Sequence, residues 1–299
     1  MAPRSAASEN RFGIACMTAA MAFFIFNDAL VKYASQTMPA AQLICVRGLL
    51  SIALVLAVAH AMGVSAKLPL IFSRRVALRA FVDAIASMLY LTALFHLPIA
   101  NATAINLTSP LFMILYAALF MGDRVGTTRW LAILAGFGGV LLVIQPDADG
   151  FNGWAMVCLA GTLFHAARDL MTRGISPAVP SILITLSTSL AVTIVSGAVS
   201  VVEGWRAFGW QELALLAGAS VFLSGGYFLI ITSMRHGEMS LVAPFRYSGL
   251  LVALCLGYVV WGDVPNVLAW SGIALLIASG LYLLYSDKLQ RKAAAAGSG

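Results

Sequence analysis

Charged residues are scarce in this chain of 299 residues: 10% are Asp, Glu, Lys or Arg, whereas 61% are hydrophobic. Soluble domains carry about 25% charged and about 45–50% apolar residues. Water cannot solvate a surface made from this mixture, so most of the chain must face lipid. The shortage of charge therefore argues against a soluble protein with one large core and predicts an integral membrane protein.

Motifs for catalysis, metal binding and ATP hydrolysis are also missing. Cys16, Cys45, Cys158 and Cys255 lie inside apolar runs, and no two of them stand at a metal-ligand spacing. The four histidines are scattered, and neither an HExxH nor a P-loop motif occurs. We therefore expect no enzyme activity, no metal, no cofactor and no ATPase subunit. An intramembrane enzyme or a sensor is the alternative from a different class.

Long apolar runs are what the sequence does contain. A hydrocarbon core ~30 Å thick requires about 20 helical residues, and the runs predict an all-α integral membrane protein with ten transmembrane helices. Short connections such as TMPA, HLPIA and GDVPN hold the helix breakers and leave no room for a soluble domain. The predicted spans are residues 11–35, 40–62, 75–96, 98–121, 127–145, 152–173, 180–202, 211–235, 238–261 and 266–286.

Lysine and arginine are distributed unequally between the two sets of predicted loops. One set collects cations from Arg4 to Lys292, whereas the other has only Arg206, with Lys32 near a helix end. By the positive-inside rule both termini are cytoplasmic. The formal net charge of +6 reflects this bias, so we expect membrane lipid and no nucleic acid as a partner. Residues 293–299 read as a linker or an added tail.

The chain repeats its landmarks after nearly half its length. A Gly-Asp pair is followed seven residues later by Trp in MGDRVGTTRW and again in WGDVPNVLAW, 140 residues further on. The same offset pairs Thr92 with Thr232 and His96 with His236, and an offset of 141 pairs Asp28 with Asp169. These matches predict two halves, residues 1–146 and 147–292. Because each half holds five spans, an odd number, the halves are inverted relative to each other, as in many transporters.

Two stretches carry a resemblance to a known family. ALFHLPIANATAINLTSPLFMILYAALFMGD and SMRHGEMSLVAPFRYSGLLVALCLGYVVWGD resemble the ending of the EamA-type domain of the drug/metabolite transporter superfamily. Members usually carry Glu after that Gly, whereas Asp123 and Asp263 stand here. The resemblance covers nearly the whole chain and implies metabolite export, with bacterial aromatic amino-acid exporters the nearest match. It thereby implies a bacterial-type inner membrane as the location. It also marks Asp28, an acid in the first helix, as a candidate for proton coupling.

Four polar residues are predicted to meet at the middle of the membrane. Ser87 and Asn106 each lie about ten residues from the turn between the third and fourth helices, as Tyr227 and Arg246 do from the turn between the eighth and ninth. Ten helical residues span ~15 Å, half of a ~30 Å core. The sequence therefore predicts a substrate site at this level, between the two halves.

Arg246 is the cation in that group, and its guanidinium suits a substrate carboxylate. The alternative is a structural pair with an acid or with helix-end carbonyls. Asp83 would be that acid, or would instead hold a substrate amine. Tyr90 and Thr103 also belong to the predicted substrate-binding set. Tyr90 and Tyr227 are each as readily explained by packing.

A second set of polar residues is predicted to be structural or to couple transport to an ion. Asp28 and Arg47 lie level on neighbouring antiparallel helices, and a direct ion pair explains both. Arg168 and Asp169 have no cation opposite them. His165, one turn from Asp169, is assigned to the substrate site, with hydrogen-bonded packing as the alternative.

Together these features predict a transporter that exports small metabolites by alternating access, with neutral or aromatic amino acids, threonine or methionine as the substrate. A proton-coupled multidrug exporter is the alternative. A complete pair of halves makes a monomer sufficient. Pro110, Pro244 and Gly249 fall in the middle of the fourth and ninth spans, where they are candidate kinks or hinges.

Overall fold

The computed structural model describes residues 6–120, 126–145, 153–236 and 239–296, and these ranges contain helices and no strand. Two 3₁₀ segments, Ser65–Phe72 and Ala243–Tyr247, and a π-helical turn, Gly257–Trp261, lie between α-helices. The α-helices are α1 (Ala6–Ala34), α2 (Ala40–Ala61), α3 (Arg74–His96), α4 (Ile99–Asn106), α5 (Ser109–Phe120), α6 (Thr127–Ile144), α7 (Gly153–Arg173), α8 (Ser181–Glu203), α9 (Trp210–His236), α10 (Met239–Val242), α11 (Ser248–Leu256) and α12 (Val267–Ala296).

Prolines set several of these boundaries. Pro39, Pro98 and Pro180 immediately precede α2, α4 and α8, because a residue without an N–H cannot continue a preceding helix. The predicted fourth span is broken between α4 and α5, just before Pro110, and the ninth is broken by the 3₁₀ segment that contains Pro244. The interruptions fall where the sequence predicts kinks, and a hinge role for them stays a prediction.

The second copy of the repeated Gly-Asp pair ends a helix. Gly262 has φ +71°, a left-handed conformation that favours glycine, and its amide donates to the carbonyl of Tyr258 at 3.0 Å. Asp263 follows in the connection to α12. The first copy, Gly122 and Asp123, lies outside the described residues.

Seven stretches of helix are long and apolar enough to cross a membrane, judged by length and composition: Glu9–Ala34, Ala40–Ala61, Arg74–His96, Ile99–Tyr116, Ser181–Glu203, Trp210–Ile230 and Pro244–Trp261. Trp130–Ile144 and Val267–Leu283 are shorter apolar helices. Large side chains such as Val202 (89% exposed) cover the outer surface, as expected of a surface in contact with lipid. The chain is thus an all-helical, multi-pass membrane protein. The count of ten crossings and the side on which the termini lie stay predictions.

The longest helix contacts join the first part of the chain to the second. Helix α1 packs along α9, α2 along α8, α3 along α7, and α6 along α12. Glycines bring two of these pairs unusually close: a Cβ on Gly161 of α7 would lie 2.9 Å from the amide nitrogen of Tyr90 on α3, and one on Gly139 of α6 would lie 2.7 Å from the carbonyl oxygen of Gly272 on α12. Both parts of the chain therefore share one core.

Contacts at the helix ends give the direction of α7. We call the end of the bundle at the turn between α3 and α4 the His96 end, and the opposite end, where α3 begins, the Arg75 end. The Trp154 ring, at the start of α7, stacks on His96 with 3.7 Å between centroids. Arg75 donates to the carbonyl of Gly174, just after α7, at 3.1 Å. Helix α7 therefore runs away from the His96 end, whereas α1 runs towards it, since Lys32 near its C-terminus contacts the carbonyl of Leu94.

Candidate functional site

Buried polar side chains form a belt where α1, α2, α3, α7 and α8 meet. It contains half of the polar residues that the sequence singles out, in two groups. The group nearer the His96 end is formed by Asn27, Asp28, Arg47 and Tyr90. The group nearer the Arg75 end is formed by Arg79, Asp83, Arg168, Asp169 and Thr188.

Asp83 is the centre of the second group. It is 1% exposed, and its carboxylate pairs with Arg168 of α7 at 2.7 Å and with Arg79, one turn earlier on α3, at 2.9 Å. Thr188 of α8 donates to the same carboxylate at 3.1 Å. Arg168 also pairs with Asp169 at 2.8 Å. Two arginines and two carboxylates thus balance in charge and tie three helices together.

These contacts answer one alternative that the sequence leaves open, a structural pair of Asp83 with Arg246, while a contact of Asp83 with a substrate amine stays a prediction. Asp83 pairs with Arg79 and Arg168 rather than with Arg246, because α3 packs along α7 whereas Arg246 lies in the 3₁₀ segment after α10. The cation for Asp169 is the adjacent Arg168, so no residue on a facing helix is needed.

Asp28 and Arg47 do lie on adjacent helices, but Asn27 joins them instead of the predicted direct ion pair. The Asn27 amide donates to Asp28 at 2.9 Å and accepts from Arg47 at 3.1 Å. The Tyr90 hydroxyl donates to the other oxygen of Asp28 at 2.9 Å. An amide has both a donor and an acceptor, so Asn27 can bind both charged groups and keep them apart. Each charge is therefore hydrogen-bonded to neutral groups.

Three buried polar atoms of the site have no hydrogen-bond partner among the described residues: Arg47 Nε, Ser51 Oγ and Thr103 Oγ1. Arg47, Ser51 and Thr103 are 6%, 3% and 6% exposed. Nearly all buried polar groups in proteins are hydrogen-bonded, so unpaired ones invite a functional explanation. Arg47 and Ser51 stand one helical turn apart on α2 and face the same way.

His165 connects the belt to α4. Its Nδ1 lies 3.2 Å from Oδ1 of Asn106, and its ring lies 5.7 Å from that of Tyr90, centroid to centroid. Asn106 is the last residue of α4, at the break before α5. Two residues that the sequence assigns to the substrate site therefore meet, and His165 also lies close to Tyr90.

The remaining predicted residues are not all gathered here. Tyr227 on α9 packs its ring edge-on against Phe24 at 5.2 Å. Ser87 is half-buried on α3. Arg246 is half-buried and has no hydrogen bond or ion pair with a described residue. The predicted meeting of Ser87, Asn106, Tyr227 and Arg246 is not seen as direct contacts between described atoms.

Sequence reasoning missed Asn27, Ser51, Arg79 and Thr188. Two of them carried a usable signal: Arg79 stands four residues before Asp83 on one helix, and Asn27 directly precedes Asp28. Ser51 and Thr188 resemble many other hydroxyl residues in apolar helices. Only the packing of α2 and α8 distinguishes them.

The His96 end of the bundle holds a second set of polar contacts. Lys32, 9% exposed, donates to the carbonyls of Leu94 and Leu97 and lies 5.4 Å from the centre of the Trp261 ring. Gln145 and Asn266 exchange two amide hydrogen bonds, at 2.5 and 2.6 Å.

A cavity of 340 Å³ opens at the same end of the bundle. Pro98, Asn101 and Asp263 contribute to its lining. Within the described ranges no group of three His, Cys, Asp or Glu residues could hold a metal ion. The belt itself offers charged and hydrogen-bonding side chains from α1, α2, α3, α7 and α8.

Comparison with known proteins identifies the family. The sequence model of the EamA-like transporter family matches residues 11–145 and again residues 152–286. A riboflavin transporter of Vibrio cholerae is 27% identical over 89% of this chain and 90% of its own length. A pseudopaline exporter of Pseudomonas aeruginosa is 27% identical over 91% and 96%. An S-adenosylmethionine uptake transporter of Rickettsia bellii is 25% identical over 64% and 65%.

A solved crystal structure shares the fold. It superposes with a TM-score of 0.66 at 17% sequence identity and covers 94% of this chain and 99% of that one. At 17% identity this similarity shows a shared fold and nothing more. The family match over most of the chain confirms the resemblance found in the repeated segments. The chain therefore belongs to the EamA-like transporter family and is a membrane transporter.

Proposed function

We propose that this protein is a secondary transporter that moves small organic metabolites across a bacterial inner membrane by alternating access. The belt between α1, α2, α3, α7 and α8 is the substrate site. The two halves, residues 1–146 and 147–292, rock against each other and open the belt to one side at a time. One complete pair of halves in one chain makes a monomer sufficient.

Two observations support inverted halves. The family model matches twice, once in each half, and α1 and α7, the first helices of the two matched stretches, run in opposite directions across the bundle. The helix pairs also agree with a two-fold relation that exchanges α1 with α7, α2 with α8, α3 with α9, and α6 with α12. This exchange turns the pair of α1 and α9 into the pair of α7 and α3, and it leaves the pair of α2 and α8 and the pair of α6 and α12 unchanged. This is the architecture of many secondary transporters, whose sites lie between the repeats.

The observation that carries the proposal is the charged belt itself. Ionisable side chains within a membrane are costly and normally mark a pathway for substrate or ions. Here Asp28, Arg47, Asp83 and Arg168 all lie inside helices of a chain with a lipid-type exterior. They stand where helices of the two halves meet, the surface that must separate if the halves move.

For the substrate we propose an amino acid, with an aromatic side chain preferred. The charged belt suits its amino and carboxylate groups, and the cluster of Phe23, Phe24, Phe222 and Tyr227 between α1 and α9 suits its ring. Riboflavin and S-adenosylmethionine, named for two relatives, also join a flat ring system to a polar chain. Relatives are named for export and for uptake, so we propose that the substrate's own gradient sets the direction.

The proposal is tested by reconstituting the purified protein in liposomes and screening radiolabelled phenylalanine, threonine, methionine, riboflavin and S-adenosylmethionine for saturable uptake. Phenylalanine uptake that exceeds that of protein-free liposomes and saturates is the expected result. Uptake of riboflavin alone would retain the transporter and remove the amino-acid assignment. No uptake of any of the five would contradict the proposal.

The same assay decides between facilitated transport and proton exchange. Asp28 is the candidate for proton coupling, because Asn27 separates it from Arg47 and no direct ion pair keeps its carboxylate charged. Our proposal that the substrate's own gradient sets the direction makes the opposite prediction. An imposed pH gradient is expected to leave the final level of phenylalanine accumulation unchanged. Accumulation against the phenylalanine gradient would instead assign Asp28 to proton coupling.

A further inference from the structure

Arg47 is the charged group of the belt with the most unused hydrogen-bonding capacity. One terminal nitrogen of its guanidinium donates to Asn27, and its Nε has no partner among the described residues. Arg168, by contrast, is bound to two carboxylates. Arg47 therefore combines deep burial with a free donor.

Ser51 adds a second free group one turn along the same face of α2. It is 3% exposed, and its hydroxyl has no partner among the described residues. In helix interiors a serine hydroxyl commonly bonds the carbonyl four residues earlier, as Ser196 and Ser220 do here. The Ser51 hydroxyl makes no such bond to the carbonyl of Arg47, four residues earlier.

Leaving a buried polar group unpaired lowers stability, and more so where the group is charged. A guanidinium N–H and a hydroxyl one turn apart offer two adjacent donors. Two adjacent donors match the two oxygens of a carboxylate. The pair is explained if a carboxylate binds there during part of the transport cycle.

We infer that Arg47 and Ser51 bind the carboxylate of the transported substrate, and that Asp28 binds its amino group, so that the site selects zwitterionic amino acids. This inference rests on the proposed transport function and names the residues that recognise the substrate. It also gives Asn27 a role. By bonding both Asp28 and Arg47, Asn27 prevents them from neutralising each other and leaves each charge able to meet the opposite charge of a ligand.

The position and charge of the subsite agree with this assignment. Arg47 and Ser51 lie seven and eleven residues after Ala40, the start of α2, hence ~10 and ~16 Å from the His96 end. Ser51 is thus near half the depth of a ~30 Å core. Asp28 and Arg47 sum to zero charge, so a zwitterion adds no net charge to the buried site, whereas a lone anion or cation would.

The test compares three inhibitors of radiolabelled phenylalanine uptake into proteoliposomes: unlabelled phenylalanine, phenylalanine amide, which lacks the carboxylate, and 3-phenylpropionate, which lacks the amine. With the wild-type protein, phenylalanine is expected to inhibit at concentrations at least about tenfold lower than either analogue, since one hydrogen bond to a charged group contributes a factor of this size.

Two variants then assign the carboxylate contact. Arg47→Gln is expected to weaken inhibition by phenylalanine and by 3-phenylpropionate, and to leave phenylalanine amide unchanged. Ser51→Ala, which removes only an unpaired hydroxyl, is expected to do the same by about tenfold or less while leaving thermal stability unchanged or raised. Ser271→Ala, the same change at an exposed site on α12 whose hydroxyl bonds its own helix, is the control and should behave as wild type.

The outcomes separate this inference from the proposed function. If the wild type takes up phenylalanine but the amide inhibits equally well, or if both variants weaken all three inhibitors alike, the carboxylate subsite is wrong and the transporter stands. If the protein carries riboflavin and no amino acid, the zwitterion assignment is likewise overturned. If no solute is carried, the proposed function fails as well. Ser51→Ala decides the question even if Arg47→Gln does not fold.

Discussion

The contact of α1 with α9 and the contact of α3 with α7 correspond under the internal repeat, yet their chemistry is opposite. Between α1 and α9 the rings of Phe23 and Phe222 meet edge-on at 5.2 Å, and those of Phe26 and Phe222 stack at 5.4 Å. Between α3 and α7 the main contact is the ion pair of Asp83 with Arg168 at 2.7 Å. One backbone arrangement thus supports an aromatic interface and a charged one.

This difference implies different behaviour during transport. Aromatic pairs have more than one favourable arrangement, stacked or edge-on, and each contributes only about 0.5–1.5 kcal/mol, whereas a buried ion pair is costly to break. We expect the α3–α7 interface to hold one conformation and to open in a discrete step. The α1–α9 interface would yield gradually and receive the ring of the substrate.

Removing the charge of Asp83 gives the largest expected effect. Asp83→Asn leaves Arg79 buried without its carboxylate and Arg168 with Asp169 alone, and breaking a buried pair in this way lowers stability by about 3–5 kcal/mol. Thermal unfolding in detergent measures the loss, and phenylalanine uptake should fall with it. The control is Arg75→Gln, which removes an exposed contact at the start of α3. Equal stability of Asp83→Asn and Arg75→Gln would show that the charged interface does not hold the conformation.

Glycine substitutions compare the two interfaces directly. A Cβ on Gly161 would lie 2.9 Å from the backbone nitrogen of Tyr90, whereas one on Gly225 would lie 2.7 Å from the side chain of Phe23. A backbone cannot yield but a ring can turn, so Gly161→Ala is expected to lower stability by about 1–3 kcal/mol. Gly225→Ala should be nearly neutral, since alanine also favours the helix by about 1 kcal/mol. Melting curves that rank the two variants the other way would contradict the comparison.

Removing a ring from the aromatic interface between α1 and α9 should lower stability less than Asp83→Asn does. It should also change the preference for phenylalanine over threonine. Phe222→Leu removes the ring contacts with Phe23 and Phe26, which contribute about 0.5–1.5 kcal/mol each. We expect uptake of phenylalanine to fall relative to that of threonine. Phe228→Leu, at a side chain that is 68% exposed, is the matched control. A proportional loss for both amino acids would show that the rings support the fold without selecting the substrate.

The smallest effect on stability is expected at Arg246. It is half-buried and has no hydrogen bond or ion pair with a described residue, so Arg246→Ala should change the free energy of unfolding by about 0.5 kcal/mol or less. If Arg246 contacts the substrate on its path, phenylalanine flux falls although insertion and stability are kept. Normal flux through this variant would remove Arg246 from the site.

The sequence anticipates the helices better than the contacts between them. Composition and run length predict the long apolar helices because burial in lipid demands about 20 apolar residues whatever the neighbours are. Prolines at positions 110 and 180 likewise mark helix boundaries, since a missing N–H acts locally. These features need only nearby residues, so one sequence is sufficient.

The partners of Asp83 lie beyond such reasoning. For two helices joined by a short turn, the residues that lie at the same depth can be derived from the sequence. This reasoning predicted that Asp28 lies opposite Arg47. Asp83 and Arg168, however, are 85 residues apart and meet because α3 packs along α7. That packing depends on close approach at Gly161, which the sequence does not distinguish from other glycines. The Asn27 bridge is a matter of side-chain rotamers and requires coordinates.

The most direct test of a water-accessible path between the halves is the reactivity of position 51. In a background with the four cysteines replaced by alanine, Ser51→Cys is reacted with a membrane-impermeant maleimide added from either side of proteoliposomes. Ser51 is 3% exposed in this conformation, so alternating access predicts slow labelling from both sides, and slower labelling when phenylalanine is bound. Labelling from one side only, or none at all, would contradict the account.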